Sequence, residues 1–156
     1  MTKEQLKDYG MKVTQANGTE LVKLTLELSA IYIGEAVEKI NDEAEFRKSI
    51  SKARAFIGHL ITSLNMEYAI SRELLNIYLY INTELQKSEI RKDVTLLPRI
   101  KGIAESLSEA FGEIVKEDKG GPVMQNAQQV YVGLTYSKRS LNESMYMESN
   151  SRGYTV

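Results

Sequence analysis

The chain contains no cysteine, no tryptophan, one histidine and only two prolines among its 156 residues. The absence of cysteine excludes a disulfide framework and thiolate zinc sites, and it is typical of proteins in a reducing compartment. The single histidine, His59, excludes a metal site built from several histidines. Because only Pro98 and Pro122 interrupt the chain, long helices are permitted along most of it.

The sequence also lacks an excess of charge and a long apolar run. It has 20 Lys and Arg against 21 Asp and Glu, for a net charge of -1. No global field attracts nucleic acid or anionic lipid, so neither is an expected partner. The opening residues, MTKEQLKDYG, have no apolar secretion-signal core, and every apolar run ends too early to span a bilayer. We therefore predict a soluble, cytoplasmic protein without membrane insertion.

What the sequence does have is apolar residues spaced by three and four, the pattern of helices. Between Lys52 and Ile81, two such stripes flank a short polar break, which is typical of antiparallel helical neighbours. Strand-like alternation is nowhere sustained. With 42% hydrophobic residues, the chain has enough for one core. We predict an all-α fold: an antiparallel up-and-down bundle of four long helices with a short N-terminal helix, over residues 1–119. An extended or partly disordered C-terminal tail follows, over residues 120–156.

Two of the predicted helices have more apolar surface than a single core face needs. The second carries Leu21, Leu24 and Leu28 on one side and a second apolar stripe on another, and the fourth carries Leu75 and Leu79 beside its main stripe. A helix that is apolar over most of its circumference lies centrally or lends a face to a partner. This surplus predicts a groove.

The predicted helices are Lys3 to about Val13, about Thr19 to Ile40, Glu43 to Leu64, about Met66 to Gln86, and a fifth from Asp93 to the stop signal at Lys116 to Pro122.

Residues with catalytic chemistry form no recognisable constellation. His59 permits one hypothesis, phosphotransfer by a histidine on a bundle helix, but Leu60 stands where such domains usually have glycine. The pair Gly120-Gly121 is followed by no Lys-Ser or Lys-Thr, so it is interpreted as a helix stop and not as a phosphate loop. We predict no enzymatic activity, no catalytic residue, no metal site and no cofactor.

Several short segments between Tyr9 and Phe111 are informative because of their order and spacing. They are Tyr9-Gly-Met-Lys-Val13, Ala16 with Glu20 and Leu21, Lys52-Ala53 through Ser63-Leu64-Asn65, Leu74, and Ile77-Tyr78-Leu79-Tyr80-Ile81. In order and spacing they resemble the flagellin-specific export chaperone family, the bacterial flagellar secretion chaperones called FliS. One segment departs from that pattern, because Thr25-Leu26-Glu27-Leu28 stands where the family has Leu-Tyr-Asp-Gly. One tyrosine and one glycine of the family pattern are therefore absent.

The resemblance implies a chaperone that binds the disordered C-terminal segment of flagellin, prevents its premature polymerisation and assists its export. It implies flagellin as the partner, and the flagellar export machinery as a second one. A groove with spare apolar stripes suits a client that binds as an amphipathic helix. An apolar residue at helical spacing equally fits a core position, so both interpretations stay open for each residue. The predicted client-binding residues are Leu21, Leu24, Leu28, Ile57, Leu60, Leu64, Leu74, Tyr78 and Ile81, and the predicted groove cap is Tyr9, Val13 and Tyr131.

Alternatives to the chaperone function also remain at this level. One is a helical adaptor or structural bundle that self-associates through its apolar stripes, for example as a homodimer; the other is phosphotransfer through His59. The tail has two interpretations as well. The segment from Val130 to Tyr136 either folds back onto the bundle as a cap or belongs to a disordered extension.

Overall fold

The structure, a computed structural model, describes residues 1–16 and 18–117 apart from the side chains of Thr14 and Gln15. The predicted all-helical bundle is confirmed in this part of the chain. None of its helices is long and apolar enough to cross a membrane. The predicted tail, including Tyr131, lies outside the described residues. The helices are α1 (Lys3–Gln15), α2 (Gly18–Glu38), α3 (Glu43–Ser63), α4 (Ala69–Arg91) and α5 (Leu97–Glu117).

The central element of the bundle is α2, which packs along α3 on one side and along α5 on the other. Ser108 Oγ donates a hydrogen bond of 3.3 Å to the carbonyl oxygen of Lys23, and the Lys101 side chain lies against Gly34. Because later residues of α5 meet earlier residues of α2, these two helices are antiparallel. The central position explains why α2 is apolar over most of its circumference, and it is one of the two arrangements that the sequence left open.

The predicted hairpin of α3 and α4 is also antiparallel. Arg54 Nε donates to Asn82 Oδ1 at 2.9 Å. Lys92 Nζ, directly after the C-terminus of α4, pairs with a carboxylate oxygen of Glu43, at the N-terminus of α3, at 2.8 Å. The fourth helix packs on α3 but meets α5 only over a short stretch. The bundle is therefore closed on three sides and opens between α4 and α5.

A turn with its own hydrogen bonds delays the start of α4. The carbonyl oxygen of Asn65 accepts from Ser71 Oγ at 2.5 Å, and Asn65 Oδ1 accepts from the backbone N–H of Glu67 at 3.0 Å. Asparagine side chains that bond the backbone two residues on stabilise turns in preference to helix. The helix consequently begins at Ala69 and not at Met66.

Hydrogen bonds within a turn also delay the start of α5, which the sequence predicts at Asp93. Asp93 Oδ1 accepts from the backbone N–H of Thr95 at 2.9 Å and from its hydroxyl at 2.6 Å. These bonds stabilise a turn and hold the pKa of the Asp93 carboxyl below its usual range. The helix therefore begins at Leu97, and Pro98 lies in its first turn, where a missing N–H breaks no helical bond.

One apolar core joins the four long helices. The rings of Tyr32 and Phe56 stack with centroids 5.9 Å apart, which ties α2 to α3. The largest side chains with almost no exposed surface are Leu26, Ile33, Phe46, Ile50, Ile57, Ile70, Tyr78, Ile81, Leu85, Leu97, Ile100 and Phe111.

We predict that Ile81→Ala lowers the free energy of unfolding by about 2–5 kcal/mol, because Ile81 is fully buried and its truncation leaves a cavity. Leu79→Ala, two positions earlier on the same helix, is the matched control. Leu79 is 46% exposed, so its truncation is expected to change stability by about 0.5 kcal/mol or less. Urea unfolding of both variants measures the difference. Similar effects of the two substitutions would contradict the placement of Ile81 in the core.

Candidate binding surfaces

An open groove runs between α4 and α5, with a volume of about 650 Å³. Its floor and walls are mainly apolar, and among the described residues that line it only Arg99 is charged. Tyr80, which lines the groove, is 39% exposed, and such exposure of a large aromatic side chain is typical of a binding surface. The lining residues are Asn76, Ile77, Tyr80, Arg99, Gly102, Ile103, Ser106 and Leu107.

Small residues on α5 keep this groove open. Gly102 and Ser106 stand four positions apart, so they share one face of the helix, and both line the groove. A Cβ atom added at Gly102 would meet nothing within 4 Å. Since neither residue reaches across to α4, the apolar side chains of Ile103 and Leu107 stay accessible beside them. The surface has the shape and chemistry of a site for an apolar helix or strand.

The structure places most of the predicted client-binding residues elsewhere. Seven of the nine are buried: Leu24, Leu28, Ile57, Leu60, Leu74, Tyr78 and Ile81. Their stripes face neighbouring helices, so in this conformation they are core and do not line an open surface. Leu21 and Leu64 are partly exposed. A client contacts the seven only if a covering helix leaves or the bundle opens.

The surplus apolar residues predicted on α4 differ from the α4 residues that line this groove. The sequence predicts Leu75 and Leu79 as the extra apolar residues, whereas Ile77 and Tyr80 line the groove. Leu79 is exposed and does not line it. One signal in the sequence was available: two small residues, Gly102 and Ser106, each followed directly by an aliphatic residue.

A second apolar surface lies on α2 beneath α1. The N-terminal ammonium of Met1 pairs with Glu35, and Tyr9 Oη donates to Glu27 Oε2 at 3.5 Å. These two contacts lay α1 antiparallel along α2. Leu28 shares a helical face with Glu35, seven positions on, so α1 runs over the apolar side of α2 that was predicted to bind the client.

The structure describes two of the three residues of the predicted groove cap. Tyr9 is half-buried on α1 against α2, and Val13 is 40% exposed on the same helix. Tyr131 lies outside the described residues. The contacts of α1 are with α2 and not with the groove between α4 and α5.

Burial and neighbouring charges shift the pKa values of Glu35 and Tyr9, two residues that attach α1 to α2. Burial raises the pKa of the Glu35 carboxyl, but hydrogen bonds from the Met1 ammonium and from Lys39 outweigh that effect and hold the pKa below its usual range. Burial and the nearby Glu27 carboxylate raise the pKa of the Tyr9 phenol, so it stays protonated and remains a donor. The contact between α1 and α2 is much smaller than the contacts of α2 with α3 and with α5.

The chain matches the model of one protein family over most of its length. The model of the flagellar protein FliS family matches residues 2–118, which are 117 of the 156 residues. The chain belongs to the FliS family. Comparison with curated proteins found no match. The family match ends one residue after α5, so the remainder of the chain lies beyond the part shared with the FliS family.

Membership in the FliS family supports a flagellar chaperone role and a protein partner. FliS is a chaperone family and not an enzyme family. His59, the basis of the phosphotransfer alternative, is exposed on α3. Within residues 1–16 and 18–117, no group of three or more His, Cys, Asp or Glu side chains is arranged to hold a metal ion.

We predict that acid loosens α1 of this member of the FliS family before the bundle unfolds. Because the Glu35 pKa is depressed when α1 is attached, its contribution is fully present above the ordinary carboxyl pKa of about 4.3 and is lost as the pH falls through the lowered value. Hydrogen-exchange protection factors of α1 amides, relative to those of α2, are expected to drop between pH 6 and pH 3.

Glu35→Gln is the matched test of that mechanism. It removes the charge that pairs with the Met1 ammonium, so protection of α1 is expected to fall about three- to tenfold at neutral pH. The acid effect on α1 should also become smaller in this variant. Unchanged α1 protection in Glu35→Gln would show that the ion pair does not attach the helix.

Proposed function

We propose that this chain binds the disordered C-terminal segment of flagellin in the cytoplasm, prevents its premature polymerisation and assists its handover to the export machinery. The observation that supports this proposal best is the open apolar groove between α4 and α5 in a member of the FliS family. Flagellin must bury apolar faces of its terminal segments against sister subunits, so a free monomer exposes amphipathic helix. A groove that covers this helix blocks its assembly.

The groove suits such a client because it requires no rearrangement before binding. Ile77 and Tyr80 on α4 lie opposite Ile103 and Leu107 on α5, and together they offer an apolar contact to one face of a helix. The client has to fold as it binds, which consumes part of the contact free energy. Capture is consequently specific but reversible, as export requires.

The face of α2 beneath α1 is a second contact in this proposal. A longer client segment displaces α1 and gains access to Leu24 and Leu28, two of the residues predicted from sequence. Each is only 8% exposed while α1 is in place. Since α1 contacts α2 over a much smaller area than α3 and α5 do, its removal costs less than the opening of the core. Tyr9 and Val13 then act as a displaceable cap, and the fully buried residues of the predicted set support the surface from below.

We predict that Tyr80→Glu weakens flagellin binding at least about tenfold, because it places a carboxylate at the rim of the apolar groove, where client contact would desolvate it. Leu79→Glu is the matched control. It changes a neighbouring residue of similar exposure that does not line the groove, so its dissociation constant should stay within about twofold of the unmodified chain. Isothermal titration with flagellin measures both.

Flagellin without its C-terminal segment provides the second control for this experiment. It should show no measurable binding to the unmodified chain. Equal effects of Tyr80→Glu and Leu79→Glu would rule out the groove as the client site. Undiminished binding of the truncated flagellin would rule out the C-terminal segment as the client.

A further inference from the structure

The groove between α4 and α5 has a candidate occupant within the same chain. Residues 120–137 contain no charged side chain, and this is the longest uncharged stretch of the sequence. It begins just after α5 ends at Glu117. We propose that the segment Val130–Tyr136 of this stretch binds in the α4–α5 groove and competes there with the client. The competition rests on the proposed function, whereas the occupancy itself does not.

The chemistry of the segment matches that of the groove. Val130–Tyr136 has the sequence VYVGLTY, so five of its seven residues are aliphatic or aromatic. The groove offers Ile77, Tyr80, Ile103 and Leu107 to such side chains, and its single charged lining residue, Arg99, lies at one end. An uncharged segment enters this surface without burying an unpaired charge. The other long uncharged stretch, residues 55–66, is already part of the bundle.

The connection is long enough to reach. From Glu117 back along α5 to Arg99 is about 27 Å, at a rise of about 1.5 Å per residue. The 13 residues from Glu117 to Val130 span up to about 40 Å when extended. Gly120-Gly121-Pro122, directly after the helix, is a sequence typical of chain reversal. The segment therefore has the length to cover the groove from either end.

Tethering makes even weak affinity effective. A short connection gives an effective concentration of about 1 mM, so a segment with an intrinsic dissociation constant near 0.1 mM fills the groove about ten times more often than it leaves it empty. The client has to displace the segment, and its apparent dissociation constant rises by about the same factor. Self-occupancy would thus cover an apolar surface until flagellin is present and would favour later release.

Cross-linking in the full chain tests the occupancy directly. Because the chain has no cysteine, a pair of engineered cysteines has only one disulfide to form within a monomer. Ser106→Cys places one thiol in the groove, and Thr135→Cys places the other in the segment without removing an apolar side chain. The rate of intramolecular disulfide formation is measured by non-reducing electrophoresis and peptide mass spectrometry, at low protein concentration.

Glu105→Cys combined with Thr135→Cys is the matched control. Glu105 is exposed and adjacent to Ser106, but it lines the opposite cleft beside α2. A segment without a preferred site reaches both positions with similar probability, since they are nearly the same distance from Glu117. We expect the Ser106 pair to react at least about five times faster than the Glu105 pair. We also expect Val130→Ser with Tyr131→Ser to abolish this preference.

Equal rates for the two pairs would overturn the proposal. Disulfide-linked dimers as the main product of the Ser106 pair would also overturn it and would indicate a second copy of the chain as the occupant. The competition is then tested with flagellin: Val130→Ser with Tyr131→Ser should tighten binding about five- to tenfold. If the Ser106 pair cross-links preferentially but flagellin binding does not tighten, the competition is refuted and the occupancy stands. The cross-linking test contains no flagellin, so its result does not depend on where the client binds.

Discussion

The packing of α2 between α3 and α5 is the constraint on which the rest of the structure depends. Because α2 is apolar over most of its circumference, it needs a neighbour on each side, and α3 and α5 take these places. The fourth helix then has α3 as its main partner, through contacts such as that between Arg54 and Asn82. It meets α5 only briefly, and the groove is the space that remains. The groove thus exists because α2 packs against α3 and α5 and leaves α4 and α5 apart. The small residues Gly102 and Ser106 do not fill the space between them.

How much of this could be predicted from sequence depended on the range of the interactions involved. Helical periodicity is local, so the five helices and the hairpin of α3 and α4 were predictable. For α2 the sequence left two alternatives, a central place or a face lent to a partner. Helix ends were less so, because Asn65 and Asp93 form turns through hydrogen bonds that periodicity does not report. Which stripe faces a neighbour is a tertiary property. Tyr78 and Ile81 belong to the same pattern as Tyr80, yet the first two are core and the third lines the groove.

In the proposed function, the stability of the bundle and the binding of the client rest on different residues. The core beneath the groove is closed and well packed, so the surface can change partners without a cost to the fold. The attachment of α1 is of the opposite kind: a few polar contacts at Glu35 and Glu27 attach it to α2. The proposed chaperone function uses both, since a rigid groove pre-organises the first contact and an easily displaced helix extends it. The family match ends with α5, so any regulation by the remaining residues would be an addition to the shared bundle.

Hydrogen exchange of the full-length Val130→Ser, Tyr131→Ser variant, in which the chain's own segment does not compete for the groove, tests the central claim most directly when it is measured alone and with flagellin. If the client binds in the groove and displaces α1, exchange should slow in residues 76–80 of α4 and 99–107 of α5 and accelerate in α1. Slowing confined to α3, with residues 76–80 and 99–107 unchanged, would contradict the account.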